Sequence, residues 1–328
     1  MKLADTRTAD RAAATPLPQL DGGWFLTDGG IETVLIYQDG IPLPEFAAFT
    51  LLRTAEGPDQ LRRYFRRYLD IAVATPGAGF ILESPTWRAG LDWGAKLGFD
   101  ARAMERVNTD AVMLMQELRN AYASRIDGAI VVSGCIGPRG DGYVAGQPMA
   151  LDDARTVHQP QVDVLAAAGV DMISAITMTT SAEAIGVTRA AARADRPVAV
   201  SFTLDTDGRL PSGESLAEAI DAVEQDAAAG SHAAPAYFML NCLHPTHAEG
   251  VLAALGDRRS RIRGLRANAS TLSHAELDVM TELDDGDPVA LGRDYRRLQN
   301  LLPALSVLGG CCGTDHRHVA SMSMLARV

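Results

Sequence analysis

The sequence predicts an α/β fold, a (β/α)8 TIM barrel forming a single domain. Three observations carry that prediction. Eight short aliphatic runs recur along the 328 residues, and amphipathic, alanine-rich stretches lie between them. The turn after the first run lacks the G-x-G-x-x-G that an open dinucleotide-binding sheet would place there. In order, the runs are "WFLTDGG" (24–30), "GFILESPTW" (79–87), "AIVVSGCIG" (129–137), "VDMISAIT" (170–177), "PVAVSFTL" (197–204), "AYFMLNC" (236–242), "IRGLRAN" (262–268) and "ALSVLGGCC" (304–312). Continuous apolar runs of this length suit parallel strands covered on both faces. Helical patterns occupy 153–169, 181–195 and 214–230; for the last, Ser212 and Glu214 read as the start and Gly230 as the stop. Long irregular connections are expected at 38–56, 137–151 and 282–292, and connections of that length tend to carry function. The barrel is assigned to 21–328. Residues 1–20, polar and alanine-rich without the apolar core of a secretory signal, read as a flexible N-terminal arm, with a covering segment as the alternative.

Composition narrows the function. A chain that is 47% hydrophobic and 22% charged suits one large globular unit or two of ordinary size. It has no run of 18 apolar residues, so no membrane span is expected. A net charge of −11 speaks against a nucleic-acid partner, which needs a basic face. Four cysteines are too few for a disulfide framework; in a cytoplasmic protein, the expected location here, a cluster of them signals metal or catalysis.

Each strand turns polar at its C-terminal end: Asp28-Gly29-Gly30, Glu83-Ser84, Ser133-Gly134-Cys135, Thr177, Ser201, Asn241-Cys242, Asn268 and Gly310-Cys311-Cys312. Barrel enzymes place their chemistry at that rim. Cys242 ends the sixth strand, and Cys311 and Cys312 end the eighth. In a closed barrel those ends are one strand apart, so three sulfurs can meet, with the glycines at 309, 310 and 313 allowing the bend. Cys135 reads as a small buried hydrophobe. Three thiolates suggest Zn²⁺ with an open fourth position. Such an electron-rich zinc is a poor activator of water, but it deprotonates a bound thiol and leaves it nucleophilic. The ligand set therefore points to alkyl transfer from a cationic onium donor to a small-molecule thiol.

"LGGCCGTDHRHV" (308–319), "NCLHP" (241–245), "LTDGGIETVL" (26–35) and "GCIGPRGDGY" (134–143) resemble the homocysteine S-methyltransferase family, zinc-dependent barrel enzymes, and the resemblance runs from about 24 to 320. It implies that Cys242, Cys311 and Cys312 are zinc ligands and catalytic residues. It implies further that Asp28 and Gly29 belong to the pocket for the amino-acid end of homocysteine, and that Asn241 supports the metal site. The acceptor would be homocysteine, giving methionine, and the donor S-methylmethionine, S-adenosylmethionine or a similar onium compound.

The sequence departs from the family at the fourth strand. The family commonly ends it with a Glu-Thr pair whose acid holds the substrate ammonium; here the pair is Ile176-Thr177. An uncompensated ammonium is costly in a closed pocket. Either Glu83 or Glu32 replaces that acid, or the acceptor is another thiol, or the enzyme demethylates an onium compound. A non-catalytic zinc-binding protein is the alternative of a different class. Trp87 reads as rim packing or as a face for a cationic donor. His244, His247, His316 and His318 read as helix-start or surface residues. The sequence sets no oligomeric state.

Overall fold

The computed structural model describes residues 16–280 and 282–324. Eight parallel strands close into a barrel in sequence order: β1 (Phe25–Leu26), β2 (Gly79–Glu83), β3 (Ile130–Ile136), β4 (Met172–Met178), β5 (Val198–Thr203), β6 (Tyr237–Asn241), β7 (Ile262–Ala267) and β8 (Val307–Gly310). Closure is made where Phe25 and Leu26 register against Val307 and Leu308. A helix returns the chain after each strand: α1 (Gly57–Val73), α2 (Ala101–Tyr122), α3 (Leu151–Ala167), α4 (Ser181–Arg193), α5 (Leu216–Gly230), α6 (Pro245–Ala254), α7 (Pro288–Gln299) and α8 (His316–Ser323). The strands fall on the predicted runs; only β4 extends beyond its run, by one residue. No helix among the described residues is long and apolar enough to cross a membrane.

Two layers of packing follow from the period-two alternation of the strands. Outward residues such as Phe80, Leu82, Val132, Ile173, Val200, Leu240 and Leu265 meet the apolar faces of the helices. Inward residues Phe25, Ile81, Val131, Met172, Ala199, Tyr237, Met239 and Val307 fill the barrel's lower interior. Higher in the barrel the inward positions turn polar: Ser133 and Ser174 are 2.7 Å apart, oxygen to oxygen, and Glu83 is buried beside them. The site above therefore has a polar floor on an apolar plug.

Three expectations need correction. Of the expected arm, residues 1–15 lie outside the described residues, but 17–20 are a built part of the barrel. Leu17 joins the interior cluster, and buried Gln19 donates to the Tyr237 hydroxyl at 3.4 Å, while its carbonyl accepts from Ser306 Oγ at 3.1 Å. An open barrel bottom would expose Met172, Tyr237 and Val307, and this turn covers them. α5 starts at Ser215 rather than at Ser212 or Glu214, because Ser215 and Glu218 form a capping box that satisfies two otherwise unpaired N–H groups. Glu214 instead accepts from the backbone N–H of Ser181 at the start of α4, 3.1 Å away. The connection at 282–292 is irregular only as far as Asp287, whose carboxylate caps α7 by accepting from Val289 and Ala290. The long connection at 137–150 is irregular, as expected. That at 38–56 holds two short 3-10 turns, the second of which buries Phe49, Leu51 and Leu52.

Leu17→Ala is expected to lower unfolding free energy by roughly 2–5 kcal/mol in a urea titration, as a core truncation does; residues 17–20 acting as a free arm would show no measurable change.

Candidate active site

Cys242 follows β6 and the Cys311-Cys312 pair follows β8, with β7 between them. The three sulfurs lie within 4.8 Å of one another. Cys242 and Cys311 form a disulfide contact, their Cα atoms 5.5 Å apart, so the close pair bridges two strands rather than joining the adjacent cysteines. Cys135 is buried on the cavity wall outside the cluster, its thiol pushed well up by burial and by the Glu83 charge.

Two asparagines hold this geometry. Asn241 Nδ2 donates to Cys242 Sγ at 3.0 Å and to Thr177 Oγ1 at 2.9 Å, while its Oδ1 accepts from Thr177 N–H at 3.1 Å and Ser201 Oγ at 2.5 Å. Both residues that it clamps have left-handed backbones, Thr177 at φ 64° and Cys242 at φ 57°. Non-glycine residues hold that conformation only when neighbours over-determine it, and here the buried amide does so. Asn268, at the end of β7, donates to the Cys242 carbonyl at 3.2 Å and accepts from Cys312 N–H at 3.1 Å, tying one cysteine loop to the other. Tyr143, from the β3–α3 connection, brings its hydroxyl 2.7 Å from Cys312 Sγ and 3.8 Å from Cys242 Sγ. Burial, with the nearby Cys312, holds its phenol well above its ordinary pKa, and either the hydroxyl or the Cys312 thiol can be the donor between them.

The sulfurs open onto a cavity of about 330 Å³ at the C-terminal mouth of the barrel. Its floor is ionic. Arg266, inside β7, donates through Nη2 to Asp28 Oδ1 at 2.7 Å and to the Gly29 carbonyl at 3.3 Å, and through Nε to the Gly310 carbonyl at 3.2 Å. The second oxygen of Asp28 accepts from Tyr64 at 2.9 Å. Burial alone would lower the Arg266 pKa, but the carboxylates of Asp28 and Glu83 hold it above the ordinary value. Burial pushes Glu83 up, partly offset by Arg266. Gly29 must be glycine because a Cβ there would stand 2.9 Å from the Thr314 carbonyl and 3.0 Å from the Tyr68 hydroxyl. Ile176 adds an apolar wall, with Thr177 beside it.

Nearer the mouth, Trp87, Tyr143, Tyr37 and Phe46 supply aromatic surface, and Glu32, Asp141 and Asp284 supply acid. The Arg88 guanidinium is 4.7 Å from the Trp87 ring centroid and 3.8 Å from that of Trp93. Glu32 is pushed up to about 7, mainly by burial, with a further rise from Asp28. All the site residues expected from sequence thus line this cavity except Asn241, which stands behind the cysteines. His244 caps α6, and His318 sits in the capping box of α8 with Asp315, as helix-start residues do. Arg266, Tyr143, Tyr64 and Arg88 were not singled out by sequence. A cue for Arg266 existed, since a charged residue within a barrel-strand run is inward or edge-bound, and a closed barrel has no edge.

The donor set fits a thiophilic metal. Sulfurs bound to one zinc at about 2.3 Å in a tetrahedral arrangement stand about 3.8 Å apart, within the spread of this cluster once Cys242 and Cys311 separate. Asn241 Nδ2 donates to the Cys242 sulfur, a contact that a metal-bound thiolate would also accept.

Comparison with known proteins agrees with this geometry. The family described as "Homocysteine S-methyltransferase" matches residues 25–326. Among curated relatives, homocysteine S-methyltransferase 4 of Zea mays is 24% identical over 93% of this chain and 90% of its own length. Homocysteine S-methyltransferase 1 of Arabidopsis thaliana is 25% identical over 68% of this chain and 72% of its own. The homocysteine methyltransferase MmuM of Escherichia coli shares the fold. Its oxidized form superposes with a TM-score of 0.74 at 19% identity, covering 94% of this chain and 98% of its own, and its metallated form with 0.71.

The raised carboxyl of Glu32 sets a pH dependence. Because the folded protein holds that proton up to about 7 while the unfolded chain releases it near 4.5, the contribution of Glu32 to stability falls as pH rises across that interval. Thermal midpoints measured from pH 4.5 to 7.5 are expected to fall more steeply for the wild type than for Glu32→Gln; parallel curves would contradict the shift.

Proposed function

Because the chain belongs to the homocysteine S-methyltransferase family, we propose that it moves a methyl group from an onium donor to the thiol of homocysteine, giving methionine, at a zinc ion held by Cys242, Cys311 and Cys312. The observation that carries this reading is the gathering of three sulfurs, backed by an asparagine clamp, on the wall of a cavity of about 330 Å³. The metallated form known for MmuM supports a metal in this fold.

Zinc, when bound, supplies the Lewis acidity that lets the acceptor thiol lose its proton near neutral pH and remain nucleophilic. The rest is done by the chain. Asn241, Asn268 and Tyr143 fix the cysteine loops so that little reorganisation accompanies reaction. The faces of Trp87 and Tyr143 and the acid Asp141 give the mouth the character of a site for a cation, in keeping with S-methylmethionine, S-adenosylmethionine or a similar donor. In the transfer, the bond from the methyl carbon to the onium heteroatom breaks and its electron pair stays with the donor. A new sulfur–carbon bond forms from the acceptor, whose thiol proton has been released to solvent. Charge on both partners is neutralised, which a water-poor cavity favours.

A second reading keeps the chemistry and changes the substrate: a different thiol, or demethylation of an onium compound. The apolar Ile176 at the end of β4 favours it, since the wall facing the acceptor offers no acid there. Purified zinc-loaded protein incubated with homocysteine and a panel of onium donors, read by mass spectrometry, decides: methionine formation supports the first reading, and its absence with every donor overturns it. If the acceptor site is a homocysteine site altered at β4, Ile176→Glu is expected to raise homocysteine turnover; if the acceptor is another thiol, turnover stays absent.

Asn241→Ala is expected to weaken zinc retention about 10- to 100-fold in a chelator competition, as loss of a group supporting a metal ligand does. Cys311→Ser is expected to lose most zinc and nearly all transfer activity while retaining the circular dichroism of the wild type. Full transfer rates in Cys311→Ser would rule out the metal-centred reading.

A further inference from the structure

The floor of the cavity carries an arginine whose charge the protein itself only partly uses. Arg266 is 7% exposed and Glu83 6% exposed, and both line the cavity. Nη1 of Arg266 and Oε2 of Glu83 each lack a hydrogen-bond partner, although Nε and Nη2 of Arg266 are fully engaged. Buried charged atoms left unpaired are costly, and a native site keeps them where a ligand completes the set. Of the acids on the cavity floor, Asp28 is committed, one oxygen accepting from Arg266 and the other from Tyr64, and Glu83, whose Oε2 is unpaired, is pushed by burial toward its neutral form. The Asp28–Arg266 pair is neutral overall, and an ammonium brought to Asp28 would meet the guanidinium at close range. Ile176 offers nothing polar on the neighbouring wall.

We propose that Arg266 is the specificity-determining residue of the acceptor site, and that it selects thiols bearing a carboxylate while leaving an α-ammonium dispensable. The inference rests on the reading of this cavity as the acceptor-thiol site. The guanidinium takes the carboxylate of the acceptor through the donor that the protein leaves unpaired, and the sulfur end reaches the cysteine cluster at the end of the neighbouring strands. Burial acts in the same direction, because it raises the pKa of Glu83 and so weakens the negative charge beside the head group. The acceptor class is then the mercaptoalkanoates, of which homocysteine is one member with an extra amine.

Three thiols of matched length separate the head groups: homocysteine, 4-mercaptobutanoate, which lacks the amine, and 3-aminopropane-1-thiol, which lacks the carboxylate. Their dissociation constants for the zinc-loaded wild-type protein are measured by calorimetry, without a methyl donor. 4-Mercaptobutanoate is expected to bind within about 10-fold of homocysteine. The aminothiol is expected to bind roughly 10- to 100-fold more weakly, the loss of one charged hydrogen-bonded contact. Arg266→Lys should keep that order with weaker binding, and Asp28→Asn/Arg266→Met, which removes both charges together, should abolish it. Aminothiol binding equal to or tighter than that of 4-mercaptobutanoate would overturn the inference and leave the methyltransferase reading standing. Unchanged order in a folded double variant would overturn it too. Binding of none of the three thiols would overturn the acceptor-site reading itself.

Discussion

The site depends on one constraint, the hold of a buried amide on two strand ends that would otherwise relax. Asn241 closes β6 and bonds to Thr177 at the end of β4, to Ser201 in β5 and to the Cys242 sulfur. It thereby fixes two left-handed residues on the rim and aims Cys242 across β7 toward Cys311 and Cys312. A sulfur cluster assembled from residues 69 apart needs such a brace, because thiols have no strong directional preference of their own. Asn268 adds the complementary tie between the loops after β6 and β8. The cluster is thus positioned at the ends of strands, with the connections around the cavity completing its lining.

The same architecture separates two regions of different electrostatic character. Deep in the barrel an ion pair, Asp28–Arg266, sits among buried tyrosines and carboxyl groups. Toward solvent, aromatic rings and acids line the mouth. A donor that is cationic and an acceptor that ends in an anion would occupy these regions without exchanging places, and their reacting atoms would meet at the sulfurs between them. Orientation of this kind accounts for a large part of what an enzyme contributes to a bimolecular transfer.

Much of this was readable from sequence, and the limits have physical causes. The eight runs gave the barrel because strands buried on both faces are apolar throughout. The cysteine trio followed from adjacency in a closed barrel, without any need for side-chain geometry. Glu83 and Glu32 could be named as pocket acids because they follow or end the first two strands. What was not readable depended on contacts between residues far apart in the chain. Arg266 pairs with Asp28 across 238 positions, and Tyr143 reaches Cys312 across 169. The packing of Leu17 and Gln19 under the barrel was hidden for another reason: a polar, alanine-rich start carries no periodic signal, and only the presence of an apolar opening to cover gives it a place. The cap of α5 lies at Ser215, three residues past Ser212, because two serine-glutamate pairs lie close together and the Ser-x-x-Glu spacing of 215 and 218 matches the geometry of a helix N-terminus.

The central claim is that three cysteine sulfurs hold a metal that receives the sulfur of the acceptor. X-ray absorption at the zinc edge of the purified, reduced protein tests it most directly, with and without homocysteine. The account predicts a shell of three sulfurs at about 2.3 Å that becomes four when the thiol is added. A shell dominated by nitrogen and oxygen, or a three-sulfur shell that homocysteine leaves unchanged, would contradict it.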